Sequence, residues 1–358
     1  MKSGSFPRKS LTRYSSTEYP RRPTIRRRMR FKGKALNNLL KLSRAEDPQT
    51  EVQPWQVASY RELPIEDLFA RLSALGISLN EKSYLVYSES SESPEDLIDF
   101  LWVDEEEDEK HDEAYLIIFE LWRRLLPSKQ TLSIFGDELD HLIDLYDNGD
   151  LTDEESLQKA LTELEDILDQ GVDSGGKPEE VFQMVSQYCA HDIETFLYDY
   201  IIERMDAKDE IYASELLDGF YDYVQGKSWF DFLKARLFVV SDSEESDILL
   251  LGLLEQQEEE PDLELCFEIA RFVVIRGDTH LFIKAAELLL SLISVEEDFI
   301  AFLDLLAEFH RCLDQDSEEK AVLDLMAKRQ SNNNDALITD LDKATALEFL
   351  QDPKRDKL

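Results

Sequence analysis

The sequence predicts an all-α fold, with two helical subdomains (bundles or irregular solenoids) preceded by a disordered basic N-terminal arm. Three observations carry this. From about residue 64 onward, apolar residues return every three or four positions in segment after segment. Caps and breakers punctuate those segments where helices should start and stop. Strand-prone runs are confined to Tyr84-Leu85-Val86-Tyr87 and Leu237-Phe238-Val239-Val240, too short and isolated to make a sheet domain. The 12 Gly and 11 Pro fit a helix-rich chain with few tight turns.

The elements follow in order. Pro64 opens a helix whose stripe is Ile65, Leu68, Phe69, Leu72 and Leu75, and Gly76 stops it. Ser93-Pro94-Glu95-Asp96 combines a cap, a proline at the next position and acids in the first turn; Leu97, Phe100 and Leu101 are its expected inner face. Residues 114–126 are intensely apolar and end at Pro127. Asp137 is expected to open the next helix, with Leu139, Leu142, Ile143 and Tyr146 inward. Thr152 and Glu155 have capping-box spacing before Leu157, Leu161, Leu164 and Leu168. Gly171 to Pro178 holds three glycines in six residues and reads as a linker. Short helices with polar joints follow it to about residue 328, as expected of packed helical hairpins. No period of 30–45 residues recurs along them. The expected organisation is therefore a basic arm at 1–44, a helical subdomain at 45–170, a linker at 171–178, a helical-hairpin subdomain at 179–330, and a polar break, last helix and tail at 331–358.

Charge is divided sharply. Residues 1–44 hold 14 Lys and Arg against one acid, Glu18, a net +13; the rest holds 25 against 77, a net −52. A body so anionic repels phosphate, which argues against its binding nucleic acid. The arm is the opposite. Six of the nine residues from Arg26 to Lys34 are cationic, namely Arg26, Arg27, Arg28, Arg30, Lys32 and Lys34, and Arg21 and Arg22 stand close by. Arg forks can hold phosphates or carboxylates, while Tyr14, Tyr19 and Phe31 could stack on bases. The arm lacks the apolar area to order itself and is expected to be disordered alone, although Leu36–Leu42 suits one or two helical turns. Its chemistry fits a targeting or secretion address, a nucleic-acid or anionic-surface contact, a protein contact, or a contact with the chain's own acidic body.

The chemistry-bearing groups give no reaction. Three widely spaced cysteines, Cys189, Cys266 and Cys312, make no disulfide framework and suit the cytoplasm or another reducing compartment. No apolar run reaches the ~18 residues of a transmembrane segment. Asp144 to Glu155 resembles an EF-hand loop in spacing, but Tyr146 stands where a carboxylate ligand is needed, so a helix–turn–helix joint through Asp147-Asn148-Gly149 is expected. His141, His191-Asp192 and Asp218 or Asp222 follow the order of an HD-type metal phosphohydrolase, a string that five His and many Asp produce by chance. Cys189/His191 and His310/Cys312 sit two apart, on nearly opposite helix faces, and cannot chelate one ion without a break. Gly226-Lys227-Ser228 lacks the upstream glycine of a phosphate cradle. The expectation is a non-catalytic scaffold or adaptor that binds protein partners, with no cofactor and no metal, and with Arg21, Arg22, Arg26, Arg27, Arg28, Arg30, Lys32 and Lys34 as its partner-binding cations. A nucleic-acid-associated protein is the alternative, and an HD-type hydrolase the more remote one.

Overall fold

The computed structural model describes residues 31–102, 108–276, 278–329 and 332–350. Among the described residues there are seventeen α-helices, one short 3-10 turn at Tyr60–Glu62, and no strand. The chain forms two compact units, one of residues up to Glu163 with Gln183–His191, the other of Leu164–Phe182 with Asp192 onward.

The first unit contains α1 (Ala35–Glu46), α2 (Ile65–Ala74), α3 (Glu81–Glu89), α4 (Pro94–Leu101), α5 (Asp108–Leu125) and α6 (Leu132–Asp147). Its centre is α5. Ala114, Leu116, Ile117, Ile118, Phe119, Glu120, Leu121 and Trp122 are all buried, so this stretch is enclosed on every side. A helix apolar all round must be enclosed in this way. Burying Trp122 alone contributes roughly 3 kcal/mol, and its indole N–H is satisfied by the Lys129 carbonyl at 3.0 Å. Glu120 is buried in that apolar stretch because it is paired: Arg123 (2.6 Å) and Arg124 (2.5 Å) both reach its carboxylate. Arg124 also donates to the carbonyls of Tyr60, Arg61 and Leu63, which ties the 3-10 turn to the central helix.

Two helices lie at the division between the units: α7 (Glu154–Asp173) and α8 (Pro178–Ser186). The second unit continues with α9 (Ile193–Asp206), α10 (Glu210–Phe220), α11 (Lys227–Ser241), α12 (Ser243–Glu259), α13 (Leu263–Arg276), α14 (Thr279–Leu292), α15 (Glu296–Cys312), α16 (Asp316–Arg329) and α17 (Asp340–Leu350). Helices α9 to α16 pair as four consecutive hairpins. Along the row, α9 touches α11, α12 touches α14, and α13 touches α15. Each hairpin thus covers the apolar face of the next, the solution used by helical solenoids. The hairpins open at Ile193, Lys227, Leu263 and Glu296, so they repeat every 34, 36 and 33 residues. The repeat is geometric: it needs apolar residues at helical spacing, not the same residues at the same offsets.

Several expectations are corrected. Helix α1 takes up the last ten residues of the segment read as arm and packs on α6. Two of the three glycines of 171–178, Gly171 and Gly176, serve close packing, while Gly175 turns the chain at φ +99° with open space around it. A Cβ on Gly171 or Gly176 would lie 2.5 Å from a methyl of Val181. Tyr84–Tyr87 and Leu237–Val240 are helical, within α3 and α11, because context overrides β-propensity in short runs. Helix α6 opens at Leu132 under a Thr131 cap, so Asp137 lies inside it. At the start of α7 it is Asp153, not Thr152, that accepts from the Glu155 N–H and the Ser156 hydroxyl.

Candidate functional site

The cluster richest in buried charge lies where the basic arm joins the first unit. Helix α6 carries Asp137, Asp140 and Asp144 at i, i+3 and i+7, which places all three along one side of the helix. Residues 187–191 and the N-terminal part of α1 pack against that side.

The chain enters this cluster through close contacts. The Lys32 N–H donates to the Gln187 carbonyl at 2.9 Å, and the Lys32 ammonium lies 5.5 Å above the Tyr188 ring. Gly33 follows with φ +56°, a left-handed conformation, and a Cβ there would stand 2.6 Å from Ser133 Cβ. Glycine is required on both counts. That turn aims Lys34 inward. Lys34 is 4% exposed; its Nζ lies 2.8 Å from Asp137 Oδ1 and 5.3 Å from the centre of the Phe119 ring.

Asp137 is as deeply buried as its partner. Arg61 Nη2 reaches Oδ2 at 2.7 Å and Asn38 Nδ2 reaches Oδ1 at 3.0 Å. Burial pushes its pKa up, but Lys34 and Arg61 overcome that and hold the carboxyl far below the usual carboxylate range. Asp140, one turn on, is held by hydrogen bonds rather than by a Lys or Arg. It accepts from Asn38 Nδ2 (3.0 Å) and from the backbone N–H groups of Ala190 (2.9 Å) and His191 (3.1 Å). Burial wins there and raises its pKa to about 6. At the end of α6, Asp144 Oδ1 lies 3.0 Å from His191 Nε2. Burial opposes the charged imidazole, yet the Asp144 hydrogen bond and the nearby acids raise its pKa. Lys41 of α1 is pushed down to about 8 by burial and by the charge of Lys34.

Chemically this is a clamp. Cations and anions neutralise one another across α1, the 3-10 turn, α6 and the 187–191 turn, and the buried charges of Lys34, Asp137 and Asp140 find partners. Among its described residues it holds no exposed nucleophile with an adjacent base.

The expected partner-binding cations divide into two sets. Arg21, Arg22, Arg26, Arg27, Arg28 and Arg30 lie outside the described residues. Lys32 is exposed beside Tyr188, whereas Lys34 is committed to the inside of the fold and does not stand on the outer surface expected of it. Several of the remaining chemistry-bearing groups have structural roles. Asp144 of the EF-hand-like run bonds His191, Asn148 Nδ2 donates to the Asp144 carbonyl at 2.7 Å, and Gly149 turns the chain at φ +72°. Asp192 caps α9 by accepting from the Thr195 N–H at 3.2 Å. His310 Nδ1 pairs with Gln315 Oε1 at 2.7 Å, and burial pushes the Cys189 thiol well up. Among the described residues, no three His, Cys, Asp or Glu side chains gather so that they could hold a metal ion. No described helix is long and apolar enough to cross a membrane.

Asn38, Asp137, Asp140 and Arg61 were not legible as a site. The signal available was the acidic stripe on α6, which by itself resembles any solvated helix face. Comparison with protein-family models, curated proteins and solved structures found no match to this chain.

Proposed function

We propose that the chain is a non-catalytic interaction protein, an adaptor or scaffold, which presents a cationic arm from a fixed base on an acidic helical body. The observation that carries this reading is the burial of Lys34 on Asp137. Lys34 lies four residues after Arg30 and thirteen after Arg21, so the arginine-rich stretch Arg21, Arg22, Arg26, Arg27, Arg28 and Arg30 is joined in sequence to a buried seat. A long charged side chain taken out of water costs several kcal/mol unless it is paired, so a seat of this kind favours a defined exit for the arm. The helical hairpins of the second unit offer the sort of surface on which protein segments dock. The arm serves as an address or a second contact. Three free thiols support a reducing compartment such as the cytoplasm.

Nucleic acid is the alternative partner for the arm, favoured by its arginine density. One experiment separates the two. In the full chain, the six arginines from Arg21 to Arg30 are replaced by Gln. Loss of cellular location or of one protein partner, with thermal unfolding unchanged, supports the adaptor reading. Retention on RNA or DNA that falls with salt, and that vanishes in the variant, supports the alternative; the slope expected is about 0.7–0.9 per cation in log–log form. A variant with the same location and the same partners as the parent overturns both.

A further inference from the structure

We propose that, when no outside partner holds it, the Arg26–Arg30 stretch of the arm rests in cis on the acidic, aromatic face formed by α4 and the end of α3. This goes beyond the function proposed above, and its test involves no outside partner, so either can fail alone.

The entry point of the arm comes first. Gly33 stands against Ser133, whose hydroxyl donates to Glu95 Oε2 at 3.2 Å, and the other oxygen of Glu95 accepts from the Tyr115 hydroxyl at 2.6 Å. Glu95 belongs to the first turn of α4. The arm therefore meets the fold beside α4. On that short helix Asp96, Asp99 and Phe100 share one side at i, i+3 and i+4, and all three are exposed or nearly so, as is Glu92 just before the helix. Phe100 is 64% exposed; its ring centre lies 6.0 Å from that of Tyr87 on α3, itself 39% exposed, and Val86 is exposed beside it. One largely exposed and one partly exposed aromatic ring, bordered by carboxylates, are thus left on the surface.

Among the described residues, no Lys or Arg forms an ion pair with Glu92, Asp96 or Asp99; Asp99 has only His111 Nε2, at 3.6 Å. Lys129 is engaged instead with the carbonyls of Ser88, Glu89 and Ser91. Arginine fits such a face in both respects. Its planar guanidinium stacks on Tyr and Phe, and its edge forks a carboxylate. The reach is adequate: the five residues from Arg26 to Arg30 span about 17 Å when extended, against about 12 Å for the whole length of α4. A tether this short gives an effective concentration in the millimolar range. A second copy is disfavoured as occupant, because two bodies each carrying a net charge near −52 repel.

The test is tryptic cleavage after Arg26, Arg27, Arg28 and Arg30 in the full chain, each rate normalised to a free peptide of residues 1–34 in the same buffer. Three proteins are compared: the parent, Asp96→Lys with Asp99→Lys, and Phe100→Ser. Rates are taken at low salt and at about 1 M salt, where the screening length is about 3 Å. The expected result is slow cleavage of the parent at low salt, about tenfold faster cleavage in the charge-reversed chain, severalfold faster cleavage in Phe100→Ser, and convergence of all three at high salt. Thermal unfolding of each variant confirms that the unit is intact; if the charge-reversed chain is not folded, Phe100→Ser carries the test. Equal cleavage of the three proteins at low salt overturns the proposal. Protection that rises with protein concentration also overturns it and assigns the face to a second copy.

Discussion

The ammonium of Lys34 lies 2.8 Å from the carboxylate of Asp137, and both side chains are almost completely withdrawn from water. The two residues are 103 positions apart in sequence. The contact joins the base of the cationic segment to the middle of α6, and breaking it from either side should differ in cost. Lys34→Met leaves Asp137 with Arg61 and Asn38, so a loss of about 2 kcal/mol is expected. Asp137→Ala leaves Lys34 buried without its carboxylate and is expected to cost about 3–5 kcal/mol. Urea unfolding of the two variants measures the difference, and the order of the two losses is the diagnostic result.

Glycines at the seat provide a second test. Gly33→Ala places a side chain at φ +56° and presses it against Ser133, and about 2–3 kcal/mol of destabilisation is expected. Gly136→Ala would normally help a helix by about 1 kcal/mol, but its Cβ would run into the Tyr188 carbonyl, so it should destabilise by more than about 2 kcal/mol. Gly252, within α12, has nothing within 4 Å of its would-be Cβ. Gly252→Ala is therefore expected to stabilise by about 0.5–1 kcal/mol. Thermal unfolding should give opposite signs for the two helical glycines.

Asp140 and Asp137 should respond to pH in opposite directions. The folded pKa of Asp140, about 6, lies above its ordinary value. The native state then binds more protons than the unfolded one between about pH 4 and pH 6, so this group's contribution to stability falls as pH rises through that window. A displacement of that size corresponds to at most about 3 kcal/mol. Asp137 is depressed, so its contribution is present above about pH 4 and is lost as acid titrates it. Unfolding measured from pH 4 to 7 in the parent and in Asp140→Asn should show the parent losing ground relative to the variant as pH rises. A difference that is flat with pH would remove the burial account of Asp140.

In the second unit Arg329 grips Glu296 with two nitrogens, at 2.7 and 2.5 Å, and also reaches Asp342. Glu296 is buried, and the segment between is held by its N–H on the Ala336 carbonyl (2.8 Å) and by the Ile338 N–H on the Ser294 carbonyl (3.1 Å). Arg329→Ala strips the counter-charge from Glu296 and is expected to cost about 3 kcal/mol. Amide exchange over residues 332–350 should quicken by about tenfold or more, while α13 and α14 keep their protection. Asp342 is pulled down to about 2; burial acts upward, but Thr339 and Arg329 outweigh it. Its support for this strap is therefore present above the ordinary carboxylate pKa and fades as pH falls toward about 2.

Much of the fold was legible because helices announce themselves locally. The Ser93 hydroxyl accepts from the Asp96 N–H, Gly76 ends α2 at φ +98°, and the apolar side chains of residues 114–122 are enclosed as their density requires. Caps and stripes depend on residues three or four apart, so a single sequence displays them. Helix α3 escaped notice because Tyr84-Leu85-Val86-Tyr87 is β-prone in isolation; there a buried Tyr84, whose hydroxyl donates to the Ile118 carbonyl at 2.9 Å, settles the matter. The hairpin period of 33 to 36 residues was equally hidden, since packing constrains the faces of helices and leaves residue identities free.

The sequence by itself determined the helical class, most helix positions and the opposition between a +13 segment and a −52 body. The tertiary structure alone decided that Lys34 turns inward while Lys32 stays out, that Asp137 is held ionised while Asp140 is not so held, and that Gly171 and Gly176 pack against Val181. The physical reason is common to all three. Backbone preference and charge are properties of neighbours along the chain, whereas desolvation and ion pairing depend on groups that only folding brings within about 3 Å.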